Sequence, residues 1–243
     1  MMRLDQYLSR YAGMSRKEAR QAVRCGVVAV NGESAKSGSA KVEGDQLVTV
    51  NGETVQAEEF VYYMMNKPSG VITATKDAHE KTVLDLMPEI GRSVFPMGRL
   101  DKDTEGLLIL TDDGALAHRL LSPRYHVEKV YEVEYEGDLA EAAVDAFARG
   151  LDIGERRCTK PASLSFFAPG RAKLVLSEGK FHQVKRMFAV SGAHVTGLRR
   201  IAFAGIGLDA ALAPGACRKL TGEEVEQLRN QRESGADFGK EGS

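Results

Sequence analysis

Two short valine-rich runs, each followed directly by Asn-Gly, restrict the possible folds of the amino-terminal quarter more than any other feature of the chain. Residues 27–30 read Val-Val-Ala-Val before Asn31-Gly32, and residues 47–50 read Leu-Val-Thr-Val before Asn51-Gly52. β-Branched residues favour strands, and Asn-Gly is the preferred pair in a tight two-residue hairpin turn. The sequence therefore predicts two short β-hairpins in this region.

Two short helices are predicted before the first hairpin. Apolar residues at helical spacing indicate a helix over residues 4–12. Ser15 and Glu18 have the spacing of a capping box, which begins a second helix. Gly26 is placed to end that helix, because glycine adopts the left-handed backbone that often follows a helix.

The net charge conceals two basic stretches. The chain has 33 Lys and Arg against 34 Asp and Glu, a formal charge of −1. Residues 1–32 carry six basic and two acidic side chains, and residues 180–200 carry five basic and no acidic ones. A near-neutral chain can still bind a polyanion, because electrostatic binding depends on where the charge lies.

The second predicted helix carries its cations on one flank. These cations are Arg16, Lys17, Arg20 and Arg24. The first two lie in the first helical turn, where the helix dipole disfavours positive charge. We expect this flank to contact phosphate groups, since no acidic residue is seen to balance it. The alternative is an ordinary solvated helix face.

Composition excludes several classes of protein. With 28% charged and 43% hydrophobic residues, the chain has the composition of a folded protein and not of a disordered or fibrous one. No apolar run has the length of a membrane span, and no apolar stretch follows the amino terminus as in a secretory signal. We therefore expect a cytoplasmic protein without a membrane partner. Cys25, Cys158 and Cys217 lie far apart, which predicts neither a disulfide framework nor a zinc site.

Residues 98–114 form the segment richest in polar residues and glycine, and one interpretation is a calcium loop. Asp101, Asp103, Glu105 and Asp112 occupy positions 1, 3, 5 and 12 of an EF-hand pattern. Position 5 is larger than usual, and an Asp at position 12 is short for bidentate binding. The apolar run between them is typical of a buried strand, and no flanking helix is expected.

The second interpretation is a loop that brings one reactive carboxylate to the start of a buried strand. Residues 107–110 read Leu-Leu-Ile-Leu, and residues 112–114 form a turn. Asp101 precedes the strand and lies between Arg99 and Lys102 in sequence. A carboxylate among cations stays ionised and can act as a nucleophile or a base. A surface loop of solvated charges has the same spacing.

Several motifs resemble known families. The amino-terminal part resembles the S4 RNA-binding domain in residues 3–5 (Arg-Leu-Asp), 15–19 (Ser-Arg-Lys-Glu-Ala) and 28–32 (Val-Ala-Val-Asn-Gly).

The rest of the chain resembles the pseudouridine synthases, in the bacterial branch that also carries an S4 domain. The catalytic motif of that family resembles Gly98-Arg99-Leu100-Asp101 with residues 104–108. Four further segments resemble that family in chain order: residues 66–70, 126–131, 178–187 and 208–215.

The resemblance implies an α+β fold with a small S4 domain and a catalytic domain built on a mixed, largely antiparallel sheet. It implies domain limits of 1–58 and 61–230, with a disordered tail over 231–243. The reaction would cleave the N1–C1′ bond of a uridine, rotate the base and rejoin it through C5. That reaction needs no metal or redox cofactor, because the bond formed replaces the bond broken.

The resemblance also assigns roles to residues. Asp101 matches the essential aspartate, and Lys185 matches an active-site cation expected to pair with it. Tyr131 matches an aromatic residue that packs on the target base, although an ordinary core tyrosine has the same sequence pattern. Arg99 is expected to contact a phosphate, and His182 to make a structural or RNA contact. The S4 residues expected to contact RNA are Arg3, Arg16, Lys17, Arg20 and Arg24.

The local pattern around Lys185 predicts a strand over 171–176 and a helix from Phe181 to Val190 that ends at Gly192. Phe181 would lie on the apolar side of this helix.

The expected substrate is small-subunit (16S) ribosomal RNA, bound by a monomer. The segments at 122–124 and 212–215 favour the small subunit by resemblance. Large-subunit RNA, a non-catalytic ribosome assembly factor, and a carboxylate-metal nuclease are the alternatives.

Overall fold

The structure is a computed structural model that describes residues 2–43, 46–55, 60–88, 92–139 and 141–231. The chain divides into two compact units. The first comprises Met1–Val61 and Met87–Val94, and the second comprises Tyr62–Leu86 and Phe95–Ser243. The tail predicted over 231–243 lies outside the described residues except for Gln231.

The first unit contains short elements. In chain order they are β1 (Met2–Arg3), α1 (Leu4–Tyr11), α2 (Arg16–Arg24), β2 (Val28–Val30), β3 (Glu33–Ser34), β4 (Lys41–Val42), β5 (Val48–Val50) and β6 (Glu53–Thr54).

Both predicted hairpins are present in the first unit. The strands pair in the order β3-β2-β5-β6, and each outer pair is closed by one Asn-Gly turn. Asn31 and Gly32 have φ values of 51° and 82°, and the second turn repeats these angles. Positive φ at both central residues is the type I′ geometry that matches strand twist, which explains the preference for Asn-Gly.

The capping box is also confirmed. The Ser15 hydroxyl accepts from the Glu18 amide at 3.2 Å, and the Glu18 carboxylate accepts from the Ser15 amide at 2.7 Å. Leu4 and Leu8 of α1 pack with Ala19 and Val23 of α2 in the core of this unit. The two helices therefore cover the hairpins with their apolar sides.

A buried carboxylate corrects the expectation that no acidic residue balances the cationic flank. The Asp5 side chain is fully buried, and it accepts hydrogen bonds from Arg3 and from Arg20, each with a closest distance of 2.9 Å. The guanidinium groups hold the pKa of Asp5 well below its usual range. Arg3 and Arg20 therefore have a structural partner, which sequence spacing could not show because Asp5 lies on the other helix.

The second unit contains the larger sheet and four helices within the part of the chain that the structure describes. Its elements are β7 (Tyr62–Lys67), a 3₁₀ helix (Val83–Leu86), β8 (Phe95–Pro96), β9 (Glu105–Thr111), α3 (Gly114–Leu121), β10 (Lys129–Gly137), α4 (Ala142–Arg149), β11 (Ser163–Ala168), β12 (Arg171–Leu176), α5 (Gln183–Val190), β13 (Ala193–Phe203), β14 (Ile206–Gly207), β15 (Cys217–Lys219) and α6 (Gly222–Arg229).

The sheet of the second unit is mixed and largely antiparallel, as the α+β prediction requires. Its order is β11-β12-β10-β13-β9-β7-β15, with β14 paired to β13 and β8 paired to β9. Among the described strands, β9 and β13 form the parallel pair, in which Gly106 lies opposite Arg200. A Cβ atom on Gly106 would lie 2.2 Å from the Arg200 carbonyl oxygen, so this close pairing requires glycine.

The predicted buried strand is β9, and its geometry opposes the calcium-loop interpretation. Glu105 and Asp112 lie at opposite ends of this strand, about 20 Å apart at 3.3 Å per residue. They cannot bind one ion. The expectation of no flanking helix is wrong, however, because α3 follows the turn, and the Asp113 carboxylate caps it by accepting from the Leu116 amide at 2.9 Å.

Residues 208–215, whose resemblance to the closing strand of the family predicts a strand, form a turn-rich connection instead. Residues 208–216 lie between β14 and β15 and outside both. The Asn66 side chain donates to the Leu212 carbonyl at 2.7 Å, and the Gly215 amide donates to the Asn66 carbonyl at 2.7 Å. Pro214 has no amide hydrogen for a strand ladder, and Gly215 has a φ of 84°.

In the described part of the chain, no helix has the length and apolarity needed to cross a membrane.

We expect Asp5→Asn to destabilise the first unit by about 1–3 kcal/mol at neutral pH, because two cations lose a buried charged partner. The pKa of Asp5 is lower in the native state than in the unfolded chain. The stabilisation is therefore complete above about pH 4 and is lost as the pH falls further. Native-state hydrogen exchange of the α1 and α2 amides measures both effects.

The exposed Glu53 provides the control for this substitution. Glu53→Gln should leave the exchange rates unchanged. A stability difference between wild type and Asp5→Asn that persists at low pH would contradict the role given to the ion pairs.

Candidate active site

A cavity of about 970 Å³ lies within the second unit. Four of the residues predicted from the sequence line it: Arg99, Asp101, Tyr131 and Lys185. These residues come from the loop before β9, from β10 and from α5. The fold therefore brings the predicted catalytic and substrate-binding residues to one cavity.

A buried lysine holds the loop that carries Asp101. Lys67 ends β7 and is fully buried, and its Nζ donates to the carbonyl oxygens of Pro68, Lys102 and Thr104 at 3.0, 3.2 and 2.8 Å. An ammonium group has three donors, and all three are used. Both ends of the segment after Asp101 are thus tied to the end of β7.

Further hydrogen bonds complete this anchor. The Gly70 amide donates to the Lys102 carbonyl at 2.8 Å, and the Thr73 hydroxyl donates to the Leu100 carbonyl at 2.7 Å. The Thr104 amide donates to the Asp101 carbonyl at 3.1 Å, which closes a turn. The backbone on both sides of Asp101 is therefore restrained, while its carboxylate remains one-third exposed to the cavity.

Burial lowers the pKa of Lys67 to about 8, and the nearby carboxylates of Asp103, Glu105 and Asp101 partly oppose this effect. The lysine therefore carries a free-energy cost as a buried cation, which its three hydrogen bonds offset.

The expected ion pair between Lys185 and Asp101 is not formed. Lys185 Nζ lies 2.6 Å from both carboxylate oxygens of Asp103. The sequence could not separate these two acids, because they lie two residues apart and a lysine is a point charge on a flexible stem. The Asp103 side chain is 66% exposed, so this pair is weak and leaves Lys185 able to exchange partners.

The side chain of His182 lies close to Asp101. Its Nε2 lies 3.7 Å from Asp101 Oδ1. The backbone of His182 has a φ of 49°, in the left-handed region that is costly for residues other than glycine. Helix α5 consequently begins at Gln183, two residues later than predicted.

Phe181 does not lie on the apolar side of α5, and this prediction was wrong. It is 73% exposed, and its ring stacks on that of His182 with centroids 3.8 Å apart. The left-handed residue between Phe181 and the helix breaks the helical spacing on which the prediction depended. Val184 and Phe188 are buried as expected.

Tyr131 lies on β10 with its side chain buried in the cavity wall. Side chains alternate along β10, since Tyr131 and Val133 are buried while Glu132 and Glu134 are exposed. Lys129 shares this face, and burial, together with the charge of Arg200, lowers its pKa to about 8. Lys129 has no role predicted from the sequence, although its spacing of two residues from Tyr131 places it on the same face of the strand.

Arg99 is exposed at the cavity and has no recorded ion pair within the described part of the chain. Lys160 and Lys180 also line the cavity, and the sequence analysis missed both. Lys180 Nζ donates to the Cys158 carbonyl at 3.0 Å, and Lys160 Nζ lies 2.8 Å from His126 Nε2. These lysines come from separate loops. Lys180 lies in the basic stretch 180–200, whereas no local pattern marks Lys160.

The cavity is strongly electropositive. Its lining includes seven Lys or Arg residues but, as acids, only Asp101 and Glu178 among the described residues. Such a cavity attracts an anionic ligand.

We expect Lys67→Met to lower the free energy of unfolding by about 1–3 kcal/mol at neutral pH, because three carbonyl groups lose their donor. The pKa of Lys67 is near 8 in the native state and near 10.5 in the unfolded chain. Between these values the unfolded chain binds more protons, so a rising pH stabilises the wild type. The difference from the variant should therefore grow across this window in urea titrations followed by circular dichroism.

Lys76 is exposed and provides the matched control. Lys76→Met should differ from wild type by the same small amount at every pH. A Lys67→Met variant with the pH dependence of the wild type would exclude the buried ammonium as the anchor of the loop.

Comparisons with known proteins agree with this geometry. Residues 61–190 match the family model described as RNA pseudouridylate synthase, and residues 2–48 match the S4 domain. The chain is 45% identical over 234 residues to the uncharacterized RNA pseudouridine synthase YtzG of Bacillus subtilis, covering 93% of this chain and 98% of that protein.

Two further relatives cover almost the whole chain. It is 41% identical over 230 residues to the ribosomal small subunit pseudouridine synthase A of Escherichia coli, covering 93% of this chain and 100% of the relative. A crystal structure of a pseudouridylate synthase superposes with a TM-score of 0.67 at 38% identity, covering 94% of this chain and 100% of that one.

The family model spans more than half of the chain, and relatives above 40% identity span nearly all of it. The protein belongs to the RNA pseudouridylate synthase family, as a pseudouridine synthase with an amino-terminal S4 domain.

Proposed function

We propose that the protein isomerises a specific uridine of small-subunit (16S) ribosomal RNA to pseudouridine, with Asp101 as the essential carboxylate. The observation that carries this proposal is the geometry around Asp101. A partly exposed carboxylate on a restrained loop faces a cavity that also contains Tyr131, Lys185 and Arg99.

Asp101 acts at the sugar of the target nucleotide. Its carboxylate attacks C1′, or it removes a proton from C2′ to give a glycal, while the N1–C1′ bond breaks. The base then rotates, and C5 forms the new bond to C1′. The restrained loop supports either route, because catalysis by a positioned group depends on its being held at the reacting atom.

The other predicted residues bind the flipped nucleotide. A base that leaves its RNA stack loses stacking energy, and Tyr131 in the cavity wall replaces part of it. Lys185 exchanges its exposed partner Asp103 for Asp101 when RNA binds, and so pairs with the proposed catalytic carboxylate. The exposed Arg99 contacts a phosphate of the strand.

The choice of small-subunit RNA is supported by the relative from Escherichia coli, whose name gives that substrate. Large-subunit RNA is the second candidate within the same family. A non-catalytic assembly factor is disfavoured by the presence of Asp101, Tyr131 and Lys185 in one cavity. Ribosomal RNA as substrate also supports a cytoplasmic location.

The S4 domain, with proposed limits 1–58, supplies further RNA contacts beside a catalytic domain over 61–230. Arg16, Lys17 and Arg24 are exposed and have no recorded ion pair among the described residues. Arg3 and Arg20 share Asp5, so about half of their positive charge is already compensated. We assign the main phosphate contacts to the first three residues and a smaller contribution to the paired two.

We expect Asp101→Asn to lower the rate of tritium release from small-subunit RNA labelled at uracil C5 by a factor on the order of 10⁴. The amide can neither attack C1′ nor accept a proton. The assay contains chelator, so a metal nuclease would be inactive in it. Glu105→Gln is the matched control, since Glu105 is exposed in the same segment and should retain wild-type activity.

The outcomes of this assay separate the alternatives. Release from large-subunit RNA alone would contradict the choice of substrate. No release by wild type from either RNA, free or in partly assembled subunits, would leave the assembly factor as the function.

We expect Arg24→Gln to weaken RNA binding more than Arg20→Gln, because Arg20 is paired with Asp5 and Arg24 has no such partner within the described chain. Each lost phosphate contact should reduce the slope of log K against log salt by about 0.7–0.9. Fluorescence anisotropy at several salt concentrations measures both quantities. Unchanged slopes in both variants would exclude α2 as an RNA-binding surface.

A further inference from the structure

Arg200 has a buried donor that the protein does not use. It lies on β13 directly opposite Tyr131 of β10, and it is 2% exposed. Its Nε donates to the Leu107 carbonyl at 2.8 Å, which fixes the guanidinium plane. Its Nη2 is buried and has no hydrogen-bond partner among the residues that the structure describes. Buried donors are almost always paired, so this one is an exception that needs a cause.

A second cation, the half-buried Lys129, lies beside it. Lys129 Nζ donates to the Val127 carbonyl at 3.0 Å and lies 5.9 Å from the centre of the Phe203 ring. The Arg200 guanidinium carbon lies 5.3 Å from the same centre. Both residues line the cavity, and neither has a recorded ion pair within the described chain. Two cations therefore share one apolar wall without a bound counter-charge.

This arrangement is unfavourable unless a ligand completes it. Burial and the charge of Arg200 lower the pKa of Lys129 to about 8, so the ammonium form is held at a cost. Unpaired positive donors in a water-poor wall interact strongly with negative charge that arrives there. They are also already in place, so they need no reorganisation when charge develops.

We propose that Arg200 and Lys129 stabilise the negative charge that develops on the carbonyl oxygens of the target uracil while its glycosidic bond is broken. The inference rests on the proposed function and deepens it. It assigns the stabilisation of the departing uracil to two residues that have no role in the chemistry at the sugar.

The charge follows from the electron balance of the step. When N1–C1′ breaks, its electron pair moves onto uracil and spreads over N1, O2 and O4. At the sugar, C1′ gains a bond to the Asp101 carboxylate, or C2′ loses a proton to it. C5 then uses this electron pair to bond to C1′. In the first route the bond between C1′ and Asp101 breaks, and in the second C2′ takes its proton back from Asp101. The C5 proton leaves to solvent. Uracil is thus anionic in either route.

The position of Arg200 favours the base over a backbone phosphate as the partner. Cross-strand neighbours project their side chains to the same side of the sheet, so Arg200 lies beside the aromatic ring expected to pack on the base. Its free donor is buried, whereas Arg99 offers an exposed guanidinium that a hydrated phosphate can reach.

The experiment compares two leaving groups in the full-length protein. RNA carrying uridine or 5-fluorouridine at the target is mixed with excess enzyme, and loss of the N-linked nucleoside is followed by mass spectrometry after nuclease digestion. Fluorine withdraws electrons and stabilises the anion by itself. Arg200→Gln and Lys129→Met should each slow the reaction of uridine by about 100- to 1,000-fold and that of 5-fluorouridine at least about tenfold less.

Three comparisons make the result specific. RNA affinity should change less than about threefold, since the charge exists only during the reaction. Arg200→Lys should recover part of the lost rate. Arg199→Gln removes the same charge from the adjacent exposed residue, on the other side of the sheet, and should slow both substrates equally and by less than about threefold.

The failures are distinguishable. A wild type that leaves uridine intact would overturn the proposed function, and this inference with it. An active wild type whose variants slow both substrates by the same factor would overturn this inference alone. If circular dichroism shows that Arg200→Gln does not fold, because the Leu107 contact is lost, Lys129→Met decides the outcome. The methionine side chain of this variant can still lie against Phe203 but carries no charge.

Discussion

The buried ammonium group of Lys67 is the contact on which the position of the active-site loop depends. It uses its three donors on three backbone carbonyls, two of which belong to the segment immediately after Asp101. The role proposed for Asp101 requires that its backbone be held in place. Here the end of β7 holds that backbone through a charge that would be costly to bury without these hydrogen bonds.

The cations of the two units differ in whether a carboxylate is paired with them. In the first unit, Asp5 compensates Arg3 and Arg20 and joins the start of α1 to α2. In the second unit, the buried Arg200 and the half-buried Lys129 lie beside Tyr131 without an ion pair in the described chain. A fold tolerates uncompensated buried charge where a ligand provides the missing partner, and active sites are the usual place for it.

Elements that depend on local interactions were predictable. The Asn-Gly turns, the Ser15 capping box and the strand over 171–176 are formed between residues close in sequence. The errors arose where a local pattern was interrupted. The left-handed backbone at His182 separated Phe181 from α5, and the Asp113 cap that begins α3 was interpreted as a turn alone.

Turn, capping and periodicity signals act over a few residues, so the sequence alone specifies the short hairpins, the start of α2 and a carboxylate before a buried strand. Tertiary structure decided which side chains meet. Lys185 lies on Asp103, Asp5 lies between two arginines, and Arg200 faces Tyr131 across β10 and β13. These contacts depend on strand register and on the packing of distant segments, which no local pattern encodes.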